Sequence, residues 1–142
     1  MMKLLIAVDG SSHAHRAIET AGQLAQEMPG LKAVLIHVRE TTAYASEVSP
    51  FNAETLEAML RQRQDTLLQA SVAQARLAGL DHVTAEPAMG LPAQEIVRAA
   101  TEVHADLIVM GTRGMSSLGG LLLGSVAQRV VHMAAVPVLL AK

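Results

Sequence analysis

The feature that most constrains this chain is an alternation. Along its 142 residues, short apolar runs take turns with longer stretches whose apolar residues recur every three or four positions. The apolar runs are Lys3 to Val8 (KLLIAV), Leu31 to Val38 (LKAVLIHV), Asp106 to Met110 (DLIVM) and Pro137 to Ala141 (PVLLA). A weaker, more polar one spans His82 to Ala88 (HVTAEPA). Runs such as LLIAV and DLIVM have no polar alternate, as expected of strands buried on both faces.

The stretches between them read as helices. The first carries Ala14, Ala17, Ile18, Ala21, Leu24, Ala25 and Met28 at helical spacing and stops at Pro29-Gly30. A long one is expected from Ala53 to Ala78, with Gly79 as its stop. Another covers Pro92 to Val103, with Pro92 suited to the first turn, and a last one covers Val126 to Met133. The resulting order, β-α-β-α-β-α-β-α-β, predicts an α/β fold: an open, mostly parallel five-stranded sheet with helices on both faces. Pro87 assigns the polar strand to an edge. Arg39 to Pro50 reads as an irregular connection, long for a compact domain, and is expected to act as a lid or an interface loop. No repeat or linker interrupts the pattern, so one domain over residues 1–142 is expected.

Composition removes several functions. The net charge of -2 leaves no basic stripe, and the aromatics are Tyr44 and Phe51, so nucleic-acid binding by charge or by stacking is not expected. With no cysteine, disulfide scaffolds, thiolate metal sites and thiol catalysis drop out together. Asp9 interrupts the apolar N-terminus before a secretory core is complete, and no apolar run reaches the ~18 residues of a spanning helix. The expectation is a soluble cytoplasmic protein without membrane partners.

Open α/β sheets take ligands beyond the carboxyl ends of their strands, where the winding reverses. If the strand order is 3-2-1-4-5, the ends of strands one and four flank that crevice. They read Ala7-Val8-Asp9-Gly10-Ser11-Ser12 and Met110-Gly111-Thr112-Arg113-Gly114. The stretch from Gly111 to Ser125, GTRGMSSLGGLLLGS, has five glycines and no lysine. Gly111 and Gly114 would let the backbone turn and approach a ligand with no Cβ in the way, and Gly124-Ser125 stands at the mouth of a helix, where unpaired amides suit an anion. The helix dipole contributes roughly 0.3–1 kcal/mol, too little for a triphosphate, so amides, hydroxyls and a divalent metal would have to share the load. Ser125-Val-Ala-Gln128 equally fits a capping box. Asp9 could accept hydrogen bonds from a ribose or an adenine amino group, or cap the helix that begins near Ser11. Neither GxxxxGK[ST] nor GxGxxG occurs, and no GxSxG elbow is present. His13, His15, His37, His82, His104 and His132 lack ligand spacing and read as solvated or satisfied side chains.

Gly111-x2-Gly114-x9-Gly124-Ser125, with KLLIAVDGS before it, ADLIVMGTRG leading in, LLLGSVAQRVV following and VPVLLAK at the end, resembles the universal stress protein family in its ATP-binding branch. The resemblance covers the whole chain and is weakest over Arg39 to Gln74. It implies a Rossmann-like sheet of the adenine nucleotide alpha hydrolase type in the order 3-2-1-4-5, with an adenine nucleotide at the switch crevice. Ala7, Asp9 and Val38 would surround adenine and ribose, and Met110 and Gly111 would line the entry. Arg113, Gly114, Gly124, Ser125 and Val126 would meet the phosphates of ATP, with Mg2+ or Mn2+ balancing charge and no protein side chain assigned as metal ligand. At Gly119-Gly120, where relatives often carry a basic residue, this chain is neutral. The resemblance also implies a homodimer through Val136, Pro137, Val138, Leu139 and Leu140, and a stress-response or signalling factor, not a fast enzyme. The alternatives are a slow ATP hydrolase, for which no general base is placed near the loop, and an interaction module of the same fold that binds no nucleotide.

Overall fold

The structure, a computed structural model, describes residues 1–40, 50–114 and 123–142. Its elements follow in the order β1 (Lys3–Ala7), α1 (Ser12–Glu27), β2 (Lys32–Arg39), α2 (Pro50–Leu77), β3 (His82–Met89), α3 (Pro92–Glu102), β4 (Leu107–Gly111), α4 (Ser125–Met133) and β5 (Val138–Ala141). The strands form one parallel sheet in the order β3-β2-β1-β4-β5, as the alternation and the resemblance led one to expect.

Side chains alternate across the sheet, so each strand feeds two cores. Leu4, Ile6 and Val8 of the first strand segment, with Leu35 and Val109, pack against Ala14, Ala17, Ile18 and Ala21 of α1 and Leu68 and Ala75 of α2. Leu5, Val34, Ile36, Ile108 and Met110 face the other way, onto Ala93, Ile96, Ala99 and Ala100 of α3 and Ala127 and Val130 of α4. Leu4, Leu5, Ile6, Leu35 and Ile108 lose all exposure, and burial of each stabilises the fold by about 1.5–3 kcal/mol. The edges differ. β3 ends the sheet on one side, and Gly90 donates its N–H to Arg39 O; alternation then turns the Pro87 nitrogen outward, so its missing N–H breaks no ladder bond. β5 ends the other side with Val138, Leu139 and Leu140 half-buried.

Several boundaries move. Arg39 closes β2 and Pro50 opens α2, so the irregular connection is shorter than read from sequence, and residues 41–49 lie outside the described residues. Pro50 sits where its missing N–H is no loss, in the first turn of a helix. Gly111 ends β4 and Ser125 begins α4; between them, residues 115–122, including Gly119-Gly120, also lie outside the described residues. No helix among the described residues is long and apolar enough to cross a membrane.

Candidate functional site

From β1 the chain crosses by α1 to β2 on one side, and from β3 it crosses by α3 to β4 on the other. The carboxyl ends of β1, β2 and β4 therefore splay around a gap. A cavity of about 500 Å3 opens there. Ala7, Asp9, Val38, Met110, Gly111, Arg113, Gly114, Gly124, Ser125 and Val126 all line it. The fold thus brings the ten residues that the sequence reading assigned to a nucleotide to one place. Reasoning from sequence missed Val8, Ala14, Ile36, Glu40, Pro92, Ile96 and Ala127, which also line it. Pro92 and Ile96 stand one turn apart at the start of α3, so the apolar stripe of that helix was the available signal.

One end of the cavity is apolar with an open main-chain edge. β1 pairs with β2 only as far as Ala7 and Ile36, and Val8 donates its N–H to Ile36 O. β2 runs on to Arg39. Alternation turns the N–H and C=O of Val38 to the same side as those of Ile36, where β1 has already ended. Val38 thus presents a donor and an acceptor side by side, without main-chain partners among the described residues, between the side chains of Ile36, Pro92 and Ile96.

The opposite end is an anion pole. Gly124 is the N-cap of α4, in extended conformation and without a side-chain cap bond. Its N–H donates to Thr112 O at 2.6 Å, and Thr112 N–H donates to Ala141 O of β5. The two stems of the glycine-rich stretch are therefore tied at their base. Gln128 N–H reaches Gly124 O, leaving the amides of Ser125, Val126 and Ala127 as donors of the first turn without partners among the described residues. The capping-box reading of Ser125 does not hold: Ser125 lies inside the helix, and its hydroxyl makes no hydrogen bond among the described residues. Gln128 reaches Leu123 O instead.

The glycines act by absent side chains and not by sharp turns. Neither Gly111 nor Gly114 has a positive φ, which corrects that part of the sequence reading. A Cβ on Gly111 would stand 2.6 Å from His13 Cβ, so this glycine admits the first turn of α1 against β4. A Cβ on Gly114 would stand 2.8 Å from Asp9 Oδ2. Gly124 has room for one, its nearest neighbours lying 3.4 Å away. Asp9 is not the cap of α1. Ser11 is, its Oγ accepting from Ala14 N–H, while Asp9 Oδ1 accepts from Ser11 N–H at 2.9 Å. Oδ2 is left facing Gly114. Among the described residues, no three of His, Asp and Glu come together as a metal site.

A second cavity, about 490 Å3, lies between α1 and α2 and shares Val8 and Ala14 with the first. Near it, polar groups serve structure. The buried Gln64 donates from Nε2 to His37 O and Ala88 O and meets His37 Nδ1, all within 3.0 Å, so it ties α2 to the ends of β2 and β3. Burial lowers the His37 pKa below its usual value; Asp9 opposes this and Arg39 adds to it. Arg39 makes a two-pronged pair with Glu57 of α2, which holds the Glu57 carboxyl below its ordinary range.

The Universal stress protein family matches residues 1–142. A universal stress protein of Thermus aquaticus is 39% identical, over 98% of this chain and 97% of its own. A universal stress protein solved in complex with cAMP superposes with a TM-score of 0.70 at 28% identity, over 99% of this chain and 96% of that one. The universal stress protein from Archaeoglobus fulgidus solved in complex with dAMP gives 0.71 at 25% identity, over 100% and 98%.

Proposed function

The chain belongs to the universal stress protein family, and on that premise we propose that it binds an adenine nucleotide in the crevice between β1 and β4. It then acts in stress response or signalling through nucleotide-dependent conformation or partner binding. One observation carries the reading: a single cavity has unpaired main-chain donors at the start of α4 and an open main-chain pair at Val38, with Asp9 between strand ends. Adenine fits the Val38 end because a purine edge offers a donor beside an acceptor, and its faces suit Ile36, Pro92 and Ile96. Asp9 Oδ2 suits a ribose hydroxyl. The phosphates reach Ser125, Val126 and Arg113, where helix amides and dipole favour negative charge. Structural relatives bound to cAMP and dAMP support the same ligand class. ATP is the expected occupant when Mg2+ or Mn2+ accompanies its phosphates.

The test is mass spectrometry of nucleotides released from freshly purified protein, followed by calorimetric titration. Adenine nucleotides should be recovered and should rebind. No binding of any adenine nucleotide at millimolar concentration would defeat the proposal.

The edge strand β5, with Val136 and Pro137 leading into Val138, Leu139 and Leu140, supports a second reading of the same chain as a homodimer. An uncovered apolar edge invites pairing with its symmetry mate. Light scattering at micromolar concentration should give twice the chain mass; a monomer there would sink it.

A further inference from the structure

Resting on the nucleotide reading, the charge around the cavity sharpens which adenine nucleotide it takes. Among the described residues, the charged ones lining it are Asp9, Glu40 and Arg113, two acids against one base. From Gly111 to Gln128 the sequence holds no cation other than Arg113, and residues 41–49 contribute only Glu47. No lysine therefore waits elsewhere in the two adjoining segments to neutralise a polyphosphate. The favourable features for an anion are local: the amides of Ser125, Val126 and Ala127, the free Ser125 hydroxyl and the Arg113 side chain. A first-turn amide cluster matches one phosphate group, and its dipole falls off within that turn. A phosphate monoester carries about -1.5 to -2 at neutral pH and a cyclic diester less, which this pole can meet. A free triphosphate carries far more and brings its excess into a cavity whose other charged lining residues, among the described ones, are the acids Asp9 and Glu40, with no added countercharge.

We infer that this site selects adenosine carrying a single phosphate, and admits ATP only as its divalent-metal complex. Asp9 keeps its charge in the cavity uncompensated: Oδ1 accepts only the neutral Ser11 amide, and no ion pair to Asp9 forms among the described residues. Glu40 lines the same cavity as a second repulsive charge.

Isothermal titration with 5′-AMP, cAMP and ATP, each in EDTA and in Mg2+, tests this. AMP or cAMP should bind equally well in EDTA and in Mg2+. ATP in EDTA should bind at least tenfold more weakly than the better of the two, and Mg2+ should restore most of the difference. Glu40→Lys should narrow the gap between metal-free ATP and AMP, with circular dichroism confirming an unchanged fold. ATP in EDTA binding as tightly as AMP would overturn the inference and leave the nucleotide reading intact. Failure of all three nucleotides under both conditions would overturn both. Which of AMP and cAMP binds better identifies whether the phosphate is taken as a monoester or a cyclic diester.

Discussion

Two cavities of nearly equal volume share the wall made by Val8 and Ala14, yet they differ in what faces inward. The cavity between α1 and α2 is lined mostly by helix side chains, and two of its glutamines are engaged with the protein itself. Gln74 reaches across to His15 O, and Gln62 to Thr66. The cavity at the strand ends is lined by main chain whose donors and acceptors are unspent. Volume alone does not make a site; convergent, unsatisfied polar groups do. Parallel topology supplies them, because strands of unequal length and a helix N-terminus meet at one end of the sheet.

The largest way to break this contrast is Gly114→Val. Its side chain must displace Asp9 Oδ2 and fill the crevice, and nucleotide affinity should fall by roughly 100-fold, about 2.7 kcal/mol. Gly124→Ala is a sharper instrument. The protein's own atoms leave room for its methyl, so the melting temperature should fall by no more than about 4 °C, the cost of Ala at an N-cap, while affinity drops about tenfold, 1.4 kcal/mol. Equal affinity in that variant would show that no ligand approaches the start of α4. Ser125→Ala removes one hydroxyl and should cost about 1 kcal/mol of binding. Because Ser125 is not a cap, unfolding free energy should change by less than about 0.5 kcal/mol; a loss near the ~1 kcal/mol typical of a cap would restore the capping reading. Across the shared wall, Thr66→Ala should leave nucleotide affinity within roughly twofold, well under the 1.4 kcal/mol of a tenfold change.

The smallest effect concerns pH on the structural side. His37 has a folded pKa below its unfolded value, so the unfolded chain takes up the proton more readily. The neutral-His37 contribution is fully present above pH ~6.5 and is lost as pH falls through the folded value. The atoms say why. Gln64 has two amide hydrogens for three acceptors, and a protonated Nδ1 would oppose a donor with a donor. Thermal melts should show stability declining below pH 6.5. His37→Leu should flatten that decline, since Gln64 keeps both carbonyl partners. An unchanged pH profile in the variant would assign the decline to other groups.

Much of the fold was legible because its strands are apolar without alternation and its helices are punctuated by Gly79, Pro92 and Pro29-Gly30. The candidate site was legible where an absent side chain was the signal. The reasons behind those absences were not. Gly111 faces His13, a contact set by how closely α1 lies on β4, and no local spacing reports that distance. Gly22 is similar: a Cβ there would stand 2.3 Å from Ala78 O, so a glycine that costs α1 about 1 kcal/mol of helix propensity admits the end of α2. Ser125 was misread by one position because Gly124, with no side chain to cap, leaves no mark of its own as the cap. Val38 was assigned through the resemblance; its open main-chain edge depends on β2 outrunning β1, which hydropathy does not record.

The hydrogen bond from Gly124 N–H to Thr112 O fastens the chain where it leaves β4 to where it enters α4. Ring closure is thereby settled by two stems that are themselves anchored to β5 and to the helix. For a flexible segment between fixed ends, doubling its length adds only about 0.6 kcal/mol of closure entropy. The position between those stems is accordingly a natural graft point.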